Sequence, residues 1–247
     1  MNEINELIED IKKSNRIVFF GGAGVSTESG IPDFRSSSGI YNKKFKYNPE
    51  YMLSHSFFMS NTLDFYDFYR SNFDLRKYKP NITHFVLKKL EDKGKMLGIV
   101  TQNIDGLHEK AGSKNVYTLH GSIYKNRCMN CFKKYDEKYI FNTEGIPKCE
   151  CGGIVKPEVV LYEEGLPEDI VNGAISSLRQ ADLVIVGGTS LTVYPANTFL
   201  MYANNAKIYI INNAKKEDNI FLRNNLKDII YINSKLGEVF EKINKTL

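Results

Sequence analysis

The sequence predicts an α/β fold in which a doubly wound parallel sheet forms a large domain and two insertions form a smaller lobe. Short continuous apolar runs, typical of strands buried on both faces, alternate along the chain with amphipathic helices. Two segments interrupt that alternation, one rich in aromatic residues and one that contains all four cysteines. We therefore expect a helical insertion and a metal-binding module beside the main sheet.

The composition is that of a packed globular protein. Of the 247 residues, 42% are hydrophobic and 25% are charged, which excludes a disordered or fibrous chain. No apolar run approaches the roughly 18 residues that span a bilayer, and the acidic N-terminus lacks an apolar signal region. The net charge of +4 is spread along the chain, and the densest basic stretch, 41–46, is predicted to be a solvated loop. We therefore expect a cytoplasmic protein that contacts neither membranes nor nucleic acid.

The elements of the large domain follow in order from the hydrophobic pattern. Apolar residues one turn apart, Ile4, Leu7, Ile8 and Ile11, predict a first helix that ends near Ser14. Short apolar runs predict strands at 17–20, 96–100, 116–119, 159–162, 183–186, 208–211 and 229–232. Further helices are predicted at 80–92, 167–180, 195–204 and 236–243.

The two insertions divide the large domain into three parts, 1–38, 80–122 and 159–247. The first insertion, 39–79, contains aromatic residues at mostly helical spacing: Phe57, Phe58, Phe65, Tyr66, Phe68, Tyr69 and Phe73. These rings are expected either to form a small core of their own or to line a substrate channel. The second insertion, 123–158, contains the cysteines and completes the small domain.

A glycine-rich turn, 21–35, follows the first predicted strand. Its glycines allow backbone N–H groups to approach a pyrophosphate, and Ser26 or Thr27 could cap the next helix and donate to a phosphate oxygen. The dehydrogenase pattern G-x-G-x-x-G is broken at Thr27, which disfavours simple hydride transfer. A rigid bend, a carboxylate, a ring and a guanidinium follow at Pro32–Arg35, and they could bury a cationic heterocycle.

Polar residues follow three other predicted strands. The segment 101–108 follows the second strand and places amide and carboxylate side chains where doubly wound sheets bind ligands, although an Asx turn that caps a helix is an alternative. The glycine- and hydroxyl-rich segment 187–195 and Asn212 also follow strands. We therefore expect one elongated ligand to be held at several strand ends.

Two of the four histidines are candidates for a general base. His120 and His108 both lie on the expected ligand side, and position alone does not separate them. His55 and His84 lie in helical segments, where surface or packing roles are expected.

The cysteines form two close pairs, Cys128–Cys131 and Cys149–Cys151, separated by 17 residues. Four thiolates make a closed tetrahedral site, so the sequence predicts one structural zinc ion. The C-x-C spacing of the second pair is tighter than the usual C-x-x-C. A redox dithiol and a zinc ribbon that touches nucleic acid are alternatives, although acidic residues offset the lysines of this segment.

Taken together, these motifs resemble the sirtuins, the NAD-dependent protein-lysine deacylases, in their bacterial-type minimal form. Segment 22–35 resembles the cofactor loop of the family, 101–105 its amide and carboxylate signature, His120-Gly121 its catalytic dipeptide and the cysteines its zinc module. Segments 163–167 and 188–195 resemble its substrate-facing regions. The resemblance covers nearly the whole chain and implies a Rossmann-like large domain.

The resemblance implies a reaction and its residues. The acyl-lysine oxygen attacks the ribose of NAD⁺ as nicotinamide leaves, and His120 acts as general base, so that O-acyl-ADP-ribose forms. His120, Asn103 and Gln102 are implied as catalytic residues. The implied NAD-binding residues are Gly22, Ala23, Gly24, Ser26, Thr27, Ile31, Asp33, Phe34, Arg35, Gln102, Asn103, Ile104, Asp105, His120, Gly188, Thr189, Ser190 and Asn212. The substrate peptide is implied to contact Val159, Val160, Leu161, Tyr162, Glu163, Leu191, Val193 and Tyr194.

The resemblance also bears on the acyl group and on rival functions. Family members that remove succinyl groups carry Arg three positions after Tyr, whereas Tyr66 is followed by Tyr69 and then Arg70, so a neutral acyl group is expected. Glu163 stands where many relatives have glycine. Mono-ADP-ribosyl transfer and a non-catalytic NAD-sensing module are alternatives to deacylation. We expect a monomer that acts on acyl-lysine proteins or peptides.

Overall fold

The computed structural model describes residues 2–33, 39, 45–191, 196–213 and 228–247, with only the backbone at 196 and 197. The strands are β1 Ile17–Gly21, β2 Met96–Thr101, β3 Val116–Thr118, β4 Gly121–Cys128, β5 Lys134–Tyr135, β6 Val155–Val159, β7 Leu183–Gly187, β8 Lys207–Ile211 and β9 Ile229–Ile232. The helices are α1 Glu3–Lys13, α2 Pro49–Met52, α3 His55–Ser60, α4 Thr62–Phe73, α5 Ile82–Asp92, α6 Leu107–Lys110, α7 Glu137–Asn142, α8 Glu168–Gln180 and α9 Leu236–Asn244. Short 3₁₀ helices lie at Ala23–Val25, Thr27–Ser29 and Ala196–Tyr202.

Six parallel strands form the main sheet in the order β3-β2-β1-β7-β8-β9. Successive strands are added to one side of β1 and then to the other, so the doubly wound fold predicted from the sequence is confirmed. The order changes direction between β1 and β7, and ligands of such sheets bind beyond the carboxyl ends of the strands at this point.

The central strands are apolar throughout because both faces of the sheet are covered. Ile17 and Phe19 of β1 pack into the core under α1, α5 and α9, whereas Val18 and Phe20 pack into the core under α8. Consecutive side chains point to opposite faces of a strand, so a strand covered on both sides requires an unbroken apolar run.

The small lobe contains a second sheet, three-stranded and antiparallel, in the order β5-β4-β6, together with α2, α3, α4 and α7. The aromatic residues predicted to form a small core are buried there, and two of them, Tyr69 and Phe73, also line a cleft. The separate sheets and cores support the domain boundaries predicted from the sequence, which we retain as a proposal. None of the helices in the described ranges combines the length and apolar character needed to cross a bilayer.

Two elements differ from their predictions. The strand predicted at 159–162 is wrong: β6 ends at Val159 and pairs with β4 of the small sheet. Beyond it the chain runs across to the helical insertion, where Tyr162 N donates to Leu53 O. The helix predicted at 195–204 is a 3₁₀ helix at Ala196–Tyr202, where Asn197 and Thr198 have weak helix propensity, and Pro195 lies outside the described residues.

Candidate active site

A cleft of about 1030 Å³ lies at the carboxyl ends of the parallel strands, between the main sheet and the small lobe. Its size is at the upper end of the range for small-molecule sites. Most of the residues predicted to bind a cofactor line it: Ala23, Gly24, Ser26, Ile31, Asp33, Gln102, Asn103, Ile104, Asp105, His120, Gly188, Thr189, Ser190 and Asn212. Five of the residues predicted to bind a substrate peptide also line it: Val159, Val160, Leu161, Tyr162 and Glu163.

A few predicted site residues are not part of this lining. Gly22 and Leu191 are buried beside it, and the exposed Thr27 donates its hydroxyl to Gly24 O at 3.0 Å. Phe34, Arg35, Val193 and Tyr194 lie outside the residues that the structure describes.

Two glycine turns cross at the floor of the cleft. Gly24 N donates to Gly188 O at 2.8 Å, so the backbones are in direct contact. A Cβ on Gly24 would lie 2.7 Å from Gly188 Cα, and a Cβ on Gly188, where φ is +63°, would lie 2.3 Å from Val25 N. Only glycine allows this approach, and the absence of side chains on Gly24 and Gly188 keeps the floor of the cleft open.

We expect Gly188→Ala to destabilise the protein by about 2–4 kcal/mol, because strain at positive φ adds to a backbone clash. Gly94→Ala is the matched control, since Gly94 also has positive φ (+69°) but no atom of the described residues lies within 4 Å of the added Cβ. The control should cost only about 1 kcal/mol. Urea unfolding of both variants measures the difference, and equal losses would contradict the role of the crossing.

Ser26, Asn103 and Asp105 form a buried hydrogen-bonded cluster beside the crossing. Ser26 Oγ donates to Asp105 Oδ2 at 2.6 Å, and Asn103 Nδ2 donates to Ser26 Oγ at 3.1 Å. Asp105 Oδ1 accepts from Leu107 N, the first residue of α6. Burial raises the pKa of Asp105, whereas its bonds from Ser26 and Leu107 oppose that shift. The cluster offers amide, hydroxyl and carboxyl groups to a polar ligand in a dry site.

The His120 ring lines the cleft where β3 leads into β4. Its Nδ1 lies 3.0 Å from the carbonyl oxygen of Gln102. A carbonyl oxygen can only accept, so Nδ1 carries the proton in the neutral ring and Nε2 is left as a proton acceptor. Burial lowers the pKa of His120, and the bond to Gln102 opposes this. The ring is therefore neutral at physiological pH, as a general base requires.

Gly121 holds the chain in place directly after His120. Its φ is +75°, and a Cβ there would lie 1.8 Å from Glu158 O. The adjacent bond from Val160 N to His120 O, at 2.9 Å, joins this turn to the segment after β6. The position of the imidazole is thus set by the large domain and by the small sheet together.

The structure distinguishes the two histidines that position alone did not separate, and it agrees with the resemblance that favours His120. His108 is fully buried, its ring packs 4.7 Å from that of His84 between centroids, and it is absent from the cleft lining. His84 is a packing residue, which is one of the two roles expected for it. His55 is partly exposed and lies 2.9 Å from a carboxylate oxygen of Glu164.

The segment after β6 attaches to the helical insertion. His55 N donates to Tyr162 O at 3.0 Å. Glu163 has φ of +75°, a conformation that favours glycine, and its carboxylate accepts from the backbone and hydroxyl of Ser56. Glutamate at this position thus adds a bond to the N-terminus of α3 at the expense of backbone strain.

Apart from Phe73, sequence reasoning missed the wall of the cleft formed by residues 71–78, and it placed Glu164 in a substrate-facing segment without giving it a role. Glu164 accepts from Leu161 N at 2.9 Å and from Lys156 Nζ at 3.0 Å. The aromatic spacing pointed only to Tyr69 and Phe73. The other residues of this wall lie beside Phe73 or in the turn after α4, where the aromatic pattern gave no signal.

The four cysteines lie at the end of the small sheet with their Sγ atoms all within 4.8 Å of one another. The Sγ atoms of Cys128 and Cys151 are 3.4 Å apart, and those of Cys131 and Cys149 are 3.5 Å apart. A tetrahedron with Zn–S bonds of about 2.3 Å has edges of about 3.8 Å, so the donor set fits zinc despite the C-x-C spacing.

The surroundings of the cysteines fit a structural metal site. Tyr135 Oη donates to Cys149 Sγ at 3.0 Å, and Asn130 N donates to Cys128 Sγ at 3.4 Å. A Cβ on Gly153 would lie 2.7 Å from Cys128 Sγ, so this glycine makes room for the sulfur. Four ligands leave no open position for substrate.

Comparison with known proteins agrees with this arrangement. The model of the family described as Sir2 matches residues 22–195. A protein named NAD-dependent protein deacetylase from Clostridium acetobutylicum is 51% identical over 247 residues, with 98% of each chain covered. Another of that name from Clostridium perfringens is 50% identical over 246 residues, again with 98% of each chain covered.

Solved structures are similar over the same length. A structure of Sir2 with deacetylated p53 peptide and 3′-O-acetyl-ADP-ribose has a TM-score of 0.87 at 33% identity, covering 100% of this chain and 98% of the other. Sir2 bound to an acetylated peptide and Sir2 with p53 peptide and NAD⁺ both have TM-scores of 0.83 at 32% identity, with 98% of each chain covered.

Proposed function

The chain belongs to the Sir2 family, and on this basis we propose that it is an NAD-dependent protein-lysine deacetylase. It transfers the acetyl group from lysine to ADP-ribose and releases nicotinamide and O-acetyl-ADP-ribose. One observation carries the proposal: the neutral His120 ring, with Nε2 left as acceptor, lines the same cleft as the Ser26–Asn103–Asp105 cluster.

The cleft fits NAD⁺ in two respects. Gly24 and Gly188 line the floor of the cleft and carry no side chain, which leaves room for a pyrophosphate. Gln102 lines the cleft, and its buried Nε2 has no partner among the described residues, so it is a donor for a ligand oxygen. When bound, NAD⁺ supplies the ribose carbon that receives the acyl oxygen and nicotinamide as the leaving group.

Different residues of the cleft bind the parts of NAD⁺ and accept the proton. Ala23 and Gly24, which line the floor of the cleft, would lie along the pyrophosphate, and Ser190 and Asn212, after β7 and β8, would contact the adenosine side. Ile31 and the Asn103–Asp105 segment surround the nicotinamide and exclude water. Gln102 and Asn103 orient the ribose, and His120 Nε2 accepts the proton of a ribose hydroxyl.

The direction of the His120 pKa shift predicts the pH dependence of the reaction. The base must be neutral, and burial lowers its pKa from 6.5, so kcat/KM should be level near pH 7 and fall only below pH 6.5. Rates with an acetylated peptide across pH 5–8 measure this. An acid limb above pH 6.5 would contradict the geometry.

A loss of activity at low pH through protonation of His120 has to be distinguished from a loss through unfolding of the protein. Burial also lowers the pKa of His84 to about 4 and that of His108 well below 6.5. The unfolded chain then binds more protons than the folded chain below pH 6.5, so the free energy of unfolding decreases as the pH falls through this range. Circular dichroism in the same buffers identifies the pH values at which the protein is folded.

We expect acetyl to be removed faster than succinyl from one matched peptide. The Arg70 side chain is absent from the cleft lining and 16% exposed, and its Nη2 donates to Gly145 O and Asp67 Oδ1. Tyr69 lines the cleft instead and brings no cation to an acyl carboxylate. Mass spectrometry of the two peptides measures the ratio, and faster desuccinylation would contradict this assignment.

The substrate is an acyl-lysine peptide that binds as an extended strand beside 159–163 and Leu191. Main-chain hydrogen bonds would hold it, and such binding tolerates many sequences. The four unpaired cysteines suit a reducing compartment, which supports the cytoplasmic location predicted from the sequence. We also retain the monomeric state as a proposal.

One experiment separates deacetylation from its alternatives. An acetyl-lysine peptide is incubated with the protein, with and without NAD⁺, and the products are weighed by mass spectrometry. Loss of acetyl only with NAD⁺, together with O-acetyl-ADP-ribose, supports the proposal. Transfer of ADP-ribose to protein without any acyl substrate would favour mono-ADP-ribosyl transfer, and NAD⁺ binding without nicotinamide release would favour a sensing module.

A further inference from the structure

Asn81, the N-cap of α5, joins this helix to the glycine-rich loop of the cleft. Its Oδ1 accepts from Thr83 N at 3.0 Å and so completes the first turn of the helix. Capping uses only that oxygen. Its Nδ2 donates instead to Val25 O at 2.8 Å and to Ser29 Oγ at 3.0 Å, in the two 3₁₀ turns of the loop.

The loop is held from the opposite side by the end of β2. Ser26, which lies between the two 3₁₀ turns, donates to Asp105 and accepts from Asn103. Ala23, Gly24 and Ser26 therefore face the cleft from a loop that is fixed both by Asn81 and by the Asn103–Asp105 segment.

Two buried histidines connect these anchors behind the loop. His84 Nδ1 lies 3.2 Å from Asn81 N, and the His84 ring packs 4.7 Å from that of His108 in α6. Helix α6 begins at Leu107, whose N–H donates to Asp105. The contacts therefore form a closed circuit that passes through α5, α6, Asp105 and the loop.

The two histidines of this circuit pack with ring nitrogens left unpaired within the described part of the chain. His84 Nε2 and both ring nitrogens of His108 have no hydrogen-bond partner among the described residues. Unpaired buried polar atoms destabilise a fold, and an apolar ring of similar size would avoid that cost. The region thus resembles a functional support more than an optimised core.

We propose that Asn81 is a positioning residue for NAD⁺: it holds the glycine-rich loop in the conformation that binds the pyrophosphate. The inference rests on the proposed function, since it assigns the loop to NAD⁺. A loop ordered before binding spares the ligand the entropy of ordering it. Loss of the Nδ2 donor should therefore weaken NAD⁺ binding and leave peptide binding unchanged.

The test variant is Asn81→Ser, because serine remains a good N-cap but cannot replace the amide donor. We expect KM and Kd for NAD⁺ to rise about tenfold, with the peptide KM and the kcat at saturating NAD⁺ within about twofold of wild type. Steady-state kinetics and calorimetry with NAD⁺ alone measure these values.

Asn2→Ser is the matched control. Asn2 caps α1, its Oδ1 accepts from Ile4 N at 3.0 Å, and α1 has 11 residues, as α5 has. The control makes the same change at an equivalent cap whose hydrogen bonds to the described residues all stay within α1, so its NAD⁺ constants should match those of wild type. A tenfold rise in the control would overturn the inference, because the effect would then come from capping.

Ser29→Ala removes the hydroxyl that accepts from Asn81 Nδ2 and leaves α5 unaltered. This variant tests the inference if Asn81→Ser does not fold. It should raise KM for NAD⁺ by about twofold alone and have no further effect when combined with Asn81→Ser, because the two residues share one hydrogen bond. If the effects of Ser29→Ala and Asn81→Ser on the NAD⁺ KM were additive, or if folded Asn81→Ser had an unchanged NAD⁺ KM, the inference about Asn81 would be overturned while the proposed function would stand. A wild-type protein that does not bind NAD⁺ would overturn the proposed function with it.

Discussion

Replacement of His120 by alanine is expected to slow NAD-dependent deacetylation by about 100- to 10,000-fold, the range typical of a lost general base. The ring lines the cleft with Nδ1 bound to Gln102 O, so Nε2 is the group that can accept a proton there. The variant should still fold and bind NAD⁺, although less tightly than wild type, because the glycine crossing and the Ser26–Asp105 cluster do not depend on this ring. Single-turnover rates with an acetylated peptide measure the loss.

His120→Gln is the matched control for this experiment. The glutamine amide can donate to the Gln102 carbonyl, but it cannot accept a proton at pH 7. Both variants should therefore be equally slow. A His120→Gln enzyme near wild-type activity would show that the histidine acts by hydrogen bonding, and the role of base would have to be reassigned.

Removal of the zinc site is expected to have the largest effect on stability. Cys128→Ala should abolish zinc binding and unfold the small sheet, because structural zinc sites contribute on the order of 10 kcal/mol to folding. Loss of that sheet also removes the Val160 N to His120 O bond, so deacetylation should be lost through displacement of the base. Zinc content by mass spectrometry and unfolding by circular dichroism measure both effects.

Removal of zinc with a chelator compares the zinc-bound and zinc-free states in the unaltered chain. Protein from which zinc has been removed should lose the circular dichroism contributed by the small lobe, and it should regain both fold and activity when zinc is returned. Cys128→Ser tests whether a side chain of similar size can replace the ligand, and we expect it to fail as alanine does, since serine is a poor zinc ligand. A folded, active and zinc-free variant would exclude a structural role for the metal.

Much of the fold is predictable because local pattern and tertiary environment agree in the main sheet. The run at 17–20 must be apolar throughout to satisfy two covered faces, and Ile17 and Val18 indeed pack on opposite sides of β1. The strand prediction at 159–162 is wrong because short apolar runs do not specify their partner. Val159 pairs with Gly121 in the small sheet, and Tyr162 forms its bond with the helical insertion.

The sequence by itself determined the residue types whose chemistry is local. Paired cysteines indicate a metal, and a glycine turn after a strand indicates a phosphate site, whatever the rest of the chain does. Position in the sequence does not separate His120 from His108, because both follow strands. The family resemblance favours His120, and the tertiary structure supplies the physical reason: the His120 ring reaches the cleft, whereas the His108 ring is buried against His84. Only the tertiary structure reveals the contacts of Asn81, because its Nδ2 donates to Val25 O, 56 positions away in the chain. Contacts of that separation depend on how helices pack on the sheet, and no local pattern records them.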